Sequence, residues 1–213
     1  MRRQQLTQAQ ITALLDPPTD QRELVRHYTL SAADLAAIRR CRGDHNRLGH
    51  APMLCYLRYP GRPLKAGERP PRPILLFIAE QIDALPEAIE DYLAAERNRR
   101  RHAAELQNRL GFRPFGTGPA ADLAGWLLPH AIENDRLAHL AGLVVEECRR
   151  RRIVVPSPGA LERLCVQARY RARGEVHRQL TDGLSAEQRH RLDALTQRRG
   201  NPIRAGSPSL HSI

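Results

Sequence analysis

The chain has 213 residues, 41% of them hydrophobic, which is enough to bury one or two cores and excludes a disordered composition. Its formal net charge is +11 and its sequence pI is near 10.6, which favours a polyanionic partner, most often nucleic acid. No apolar run approaches the roughly 18 residues of a membrane span, and the charged start Met1-Arg2-Arg3 has no apolar stretch behind it, so no membrane partner and a cytoplasmic location are expected.

Nearly every segment reads as helix. Leu6 to Leu15 is a short amphipathic helix ended by Asp16-Pro17-Pro18, and residues 21–28 add a turn. Ser31 reads as an N-cap, with Asp34 completing a capping box for a helix over 32–40. Gly43 suits a C′ position with positive φ, and Asp44 suits the next N-cap. A second helix then runs from about His45 to Tyr59, with Pro52 kinking it or marking its start. Helix, short glycine turn, helix is the pattern of a helix-turn-helix, though many all-α proteins contain it.

Pro60 to Pro73 holds five prolines and two glycines and reads as an extended connector. Ile74 to Ile82 is a buried helix, and Pro86 fits the first turn of the next. A long helix from about Ala94 to Leu110 is stopped by Gly111. It turns Leu106 and Leu110 inward and carries Arg97, Arg99, Arg100, Arg101 and Arg109 on the remainder. Helices follow over 120–134, 136–151 and 158–180, and Ser185 caps a last one to about Arg198. Ile153-Val154-Val155 is the only short β-branched run. The tail over 200–213 is rich in Pro, Ser and Gly and reads as disordered.

The four cysteines, Cys41, Cys55, Cys148 and Cys165, form no C-x-x-C pair and are expected as free thiols. Cys41, His45, His50 and Cys55 fall at C-x3-H-x4-H-x4-C, which matches no usual zinc spacing, so they read as ordinary core or surface residues. There is no G-x-S-x-G, no phosphate-binding glycine loop and no legible carboxylate cluster. No catalytic residue, metal or other cofactor is expected.

The arginines are the better candidates. Of 34 basic residues only Lys65 is lysine, and arginine's planar fork grips phosphate and guanine bidentately. Arg39, Arg40 and Arg42 lie at the turn of the helix-turn-helix, with Asn46 and Arg47 in the first turn of its second helix. Recognition helices place such residues at base edges; the competing reading is a solvated basic face. The cluster Arg97 to Arg101 poses the same choice between phosphate grip and solvated face, and His102 beside it reads as a surface or capping residue. For Arg149 to Arg152 the favoured reading is a helix end complementing the macrodipole.

From Leu30 to Leu64 the chain reads L-S-A-A-D-L-A-A-I-R-R-C-R-G-D-H-N-R-L-G-H, then L-C-Y-L-R-Y-P-G-R-P-L. It continues through I-L-L-F-I-A-E-Q-I, E-D-Y and R-N-R-R-R-H-A-A-E-L-Q-N-R-L-G-F-R-P-F. These blocks resemble the N-terminal region of Tn3-family transposases, the enzymes of class II replicative transposons. Weaker similarity runs on through V-V-P-S-P and L-T-D-G-L-S to about Arg198. The resemblance implies a helical region that binds terminal inverted repeats through more than one module. It also implies that the magnesium-dependent Asp-Asp-Glu domain of the family lies beyond this chain. The R-R-x-R-G-D-H-N-R segment would place Arg39, Arg40, Arg42, Asn46 and Arg47 in the first module, and R-R-R-H would place Arg99, Arg100, Arg101 and His102 in the second. Within the pattern, Cys41 interrupts an arginine run, and His50 and Pro52 occupy positions expected to be apolar and helix-compatible.

The expectation is an all-α chain: one DNA-binding module over 1–60, a second over 61–117, a helical scaffold over 118–199 and a tail over 200–213. Its function would be binding of transposon-end double-stranded DNA without catalysis, with base contacts from the 45–50 region. Full-length transposase or a second copy of the chain are further candidate partners. The alternatives are a basic helical protein-interaction module and a nonspecific nucleic-acid binder.

Overall fold

The computed structural model describes residues 5–65 and 67–198; the tail expected over 200–213 lies outside them. The described residues form eleven helices and no named strand. In chain order they are α1 (Gln8–Leu15), α2 (Gln21–Tyr28), α3 (Ala32–Arg39), α4 (Asp44–Arg58), α5 (Arg72–Ile82), α6 (Ile89–Ala94), α7 (Glu96–Leu110), α8 (Thr117–Glu133), α9 (Leu137–Arg150), α10 (Pro158–Thr181) and α11 (Ala186–Arg198). A single 3-10 turn, Pro86–Ala88, leads into α6.

The short helices are set by their caps. Thr7 and Gln10 form a capping box at the start of α1, and Asp20 accepts from the Glu23 amide at the start of α2. Ser31 and Asp34 form the expected box on α3, and Ser185 and Gln188 exchange the same pair of bonds before α11. Gly111 ends α7 at φ 69°, as its sequence position suggests. Asp44 does not cap α4. Gly43, at φ 80°, is the flanking residue, and Asp44 falls inside the first turn, where it pairs with Arg47 at 3.3 Å. The helix then runs unbroken through Pro52.

Two apolar cores result, and they do not follow chain order. The first gathers α2 to α7 around α4, whose residues from Leu48 to Leu57 are all buried. It draws on both sides of the proline-rich connector: Leu24, Ile38 and Leu54 share it with Ile74, Ile89 and Leu106. Gly49 lets α4 approach α6, since a Cβ there would stand 2.1 Å from the Tyr92 ring. The second core joins α8, α9 and α10, and α1 crosses back to complete it with Leu6 and Leu15. The Leu6 amide donates to Glu162 Oε1 on α10 at 2.8 Å, fixing that return.

The first part of the connector, over 60–64, is a buried strap between the two cores. Pro60, Gly61, Arg62 and Leu64 are buried. Arg62 donates from Nε to the Leu15 carbonyl at 2.8 Å and grips Glu68 with both terminal nitrogens at 2.7 Å. The Val155 amide donates to the Gly61 carbonyl at 2.9 Å, while Ile153 makes an isolated parallel bridge with Arg113. The β-branched run thus serves as a stitch between loops.

Candidate nucleic-acid interface

The α3–α4 turn is organised by its own side chains. The Cys41 amide donates to the Ile38 carbonyl at 2.9 Å, and Arg47 Nε donates to the Cys41 carbonyl at 3.2 Å. Asn46 Nδ2 donates to the Arg42 carbonyl at 2.8 Å. These bonds brace the turn, and Arg40 and Arg42 are exposed on it. Behind it, α7 packs on α4, and Asn98 Nδ2 reaches Asn46 Oδ1 at 3.4 Å.

This packing brings the two arginine segments together. Arg40, Arg42 and Asn46 from the turn face Arg101 and Arg109 from α7 across a cleft of about 510 Å³. Glu105 is the one carboxylate among its lining residues. Arg101, Glu105 and Arg109 recur every four residues, which puts them on one face of α7. Arg109 was legible only as one of that helix's basic residues, and this spacing is the signal that selects it. Arg39 and Arg47 line a second cleft with Gln81 and Asp83. Arg97 and Arg100 are exposed on α7, outside the lining of the first cleft.

Some expected site residues face inward. Arg99 is buried, and His102, read as a surface or capping residue, is only 4% exposed. Leu48, Gly49 and His50 are buried as well, so α4 cannot offer base contacts over the whole 45–50 stretch. Its accessible part is the first turn, because the rest of the helix is the axis of the core. Arg149 to Arg152 are held by protein groups: Arg149 by the Pro60 carbonyl, Arg150 and Arg151 by Glu147, and Arg152 by the Leu110 carbonyl.

Under the cleft lies a polar cluster. Ligand-capable atoms of Cys41, His50 and His102 all fall within 4.8 Å of one another. Tyr92 Oη donates to Met53 Sδ at 2.9 Å and lies 3.0 Å from His102 Nδ1. Burial, with help from His102 and Arg109, brings His50 down to about 4, so its ring is neutral near pH 7. Burial also lowers His102, assisted by Arg101, and raises the Cys41 thiol, assisted by Glu105. The histidine pair meets edge to face, with centroids 5.1 Å apart.

Comparison with known proteins adds the lineage. Residues 6–168 match a family model described as a domain of unknown function, DUF4158. The chain is 39% identical over 198 residues to the transposase for transposon Tn3926 of Escherichia coli. It is 38% identical over 200 residues to the transposase for Tn21 of Escherichia coli, and 37% identical over 194 to that for Tn501 of Pseudomonas aeruginosa. These alignments cover 91–94% of this chain but only 19–20% of each relative. Among the described residues no helix is long and apolar enough to cross a membrane.

Proposed function

Because this chain belongs to the DUF4158 family and resembles the N-terminal region of Tn3-family transposases over nearly its whole length, we propose that it binds transposon-end double-stranded DNA through the arginine cleft between the α3–α4 turn and α7. One observation carries this reading: Arg40, Arg42 and Asn46 converge with Arg101 and Arg109 on a single groove, although they come from distant segments. Convergent guanidinium groups on a rigid frame suit phosphate gripping, which positions a duplex without reading it. Arg42, exposed just before α4, and the part-buried Asn46 in its first turn are the groups suited to base edges. The α3–α4 turn and α7 then act as two DNA-contacting surfaces over one shared core. The reading assigns these residues no catalytic step, and a role bound to DNA places the chain at the nucleoid.

Fluorescence-anisotropy titration of the chain against a transposon-end duplex and a scrambled duplex, across several salt concentrations, tests it. The expected result is a preference for the end of about 4 kcal/mol or more with a steep salt slope. Weak binding that does not distinguish the duplexes sinks the proposal and leaves a basic helical interaction module.

A further inference from the structure

We propose that Cys41, His50 and His102 form a binding site for one divalent transition-metal ion of the zinc class, joining the α3–α4 turn, α4 and α7. The inference is separate from the DNA reading and rests on different atoms. His50 carries the most weight. It is 1% exposed, and neither ring nitrogen has a hydrogen-bond partner in the structure. Buried polar side chains are nearly always satisfied, and an imidazole with two idle nitrogens beside a thiol and a second imidazole has the surroundings of a ligand.

His102 is oriented in the way metal-bound histidines are. Tyr92 Oη lies 3.0 Å from His102 Nδ1 and 2.9 Å from Met53 Sδ. With the proton on Nδ1, Tyr92 is the outer partner and Nε2 keeps a lone pair for the metal, the arrangement usual for ligating histidines. One thiolate and two imidazoles suit zinc, and also cobalt as its spectroscopic stand-in. Metal–sulfur and metal–nitrogen bonds of roughly 2.3 and 2.0 Å set tetrahedral ligand separations of about 3.3–3.6 Å. The three atoms, now within 4.8 Å, must therefore draw together by up to about 1.5 Å, which side-chain torsions allow.

The balance of the step is simple. The thiol of Cys41 gives up its proton to solvent as the sulfur–metal bond forms, and both imidazoles bind as neutral donors. Arg101 and Arg109 oppose a bound cation; the Cys41 thiolate and Glu105 offset them. The fourth position falls to Glu105 or to water from the cleft that Cys41, His102 and Glu105 line together. The sequence hides this site because its ligands come from three elements, and the local C-x3-H-x4-H-x4-C run pairs Cys41 and His50 with the wrong partners, His45 and Cys55.

The test is a cobalt(II) titration of the chelator-stripped full chain, followed by zinc displacement. The expected result is one cobalt per chain, with tetrahedral visible bands and a thiolate-to-cobalt charge-transfer band that zinc removes. Cys41→Ser loses the charge-transfer band, and His50→Gln and His102→Gln each weaken binding at least tenfold. Zinc also raises the melting temperature of the wild-type chain, a readout that holds even where a variant fails to fold. A wild-type chain without the charge-transfer band overturns the site, and so does a band that survives in Cys41→Ser.

Discussion

The guanidinium of Arg149 lies 4.4 Å from the centroid of the Tyr59 ring, so the end of α9 caps the end of α4. Arg149 Nε also donates to the Pro60 carbonyl at 2.9 Å, and the Gly61 carbonyl one residue on accepts from Val155. These contacts make the strap a shared wall of both cores. Arg149→Ala removes a charged hydrogen bond and a cation–π contact together, with an expected cost of about 2 kcal/mol. Urea unfolding reads this directly, and an unchanged midpoint would show that the joint carries no stability.

The bidentate pair between Arg58 and Asp34 makes stability depend on acid. Burial pushes the Asp34 carboxyl up, but hydrogen bonds from Arg58 and Ser31 outweigh it and bring it from 3.8 to about 2. A depressed carboxyl stabilises the fold fully above its unfolded pKa and loses that contribution as pH falls through the folded one. The window is therefore about pH 4 down to about pH 2, and the contribution roughly 2 kcal/mol. Thermal melts of Asp34→Asn should show the loss already at pH 7 and a shallower decline in acid than the wild type. Glu147, held near 2 by Arg150 and Arg151 against its burial, leaves a residual slope in the same range.

Gly49→Ala tests the seam between α4 and α6. Its Cβ would overlap the Tyr92 ring at 2.1 Å, and that ring is wholly buried between Met53 and His102. Overpacking of this kind costs about 1–3 kcal/mol, despite the gain in helix propensity. A variant as stable as the wild type would mean that the two helices do not meet at Gly49.

Paired substitutions distinguish one DNA groove from two separate modules. Arg40→Ala with Arg42→Ala, and Arg101→Ala with Arg109→Ala, should each weaken binding to the same short duplex. Each lost phosphate contact should lower the salt slope by about 0.9. Arg171→Ala on α10 serves as the charge control, since it removes one positive charge outside the cleft. Losses in proportion to the charge removed, with each pair costing about twice what Arg171→Ala does, would assign the affinity to net charge alone.

Much of this architecture is written locally. Ser31 with Asp34, Ser185 with Gln188, and Gly111 after Leu110 announce their helix ends because capping is decided within a few residues. Asp44 was misplaced by one residue, because a glycine at φ 80° can itself flank a helix and leave the acid inside the first turn. The arginine segments were legible as basic faces, but not which of their members meet. Arg101 and Arg109 reach the groove while Arg99 and His102 turn inward, and that choice depends on how α7 is rotated against α4.

By itself, then, the sequence determined the helices, most of their caps, the net positive charge and the family, since each follows from neighbouring residues or from the chain read end to end. Only the tertiary structure decided the rest: the return of α1 to the second core, the burial of the proline-rich strap, the single groove made by two arginine segments and the meeting of Cys41 and His50 with His102. The physical reason is that burial of apolar area is non-directional along the chain. It rewards whichever faces fit, and the side chains carried on the opposite faces are brought together as a consequence.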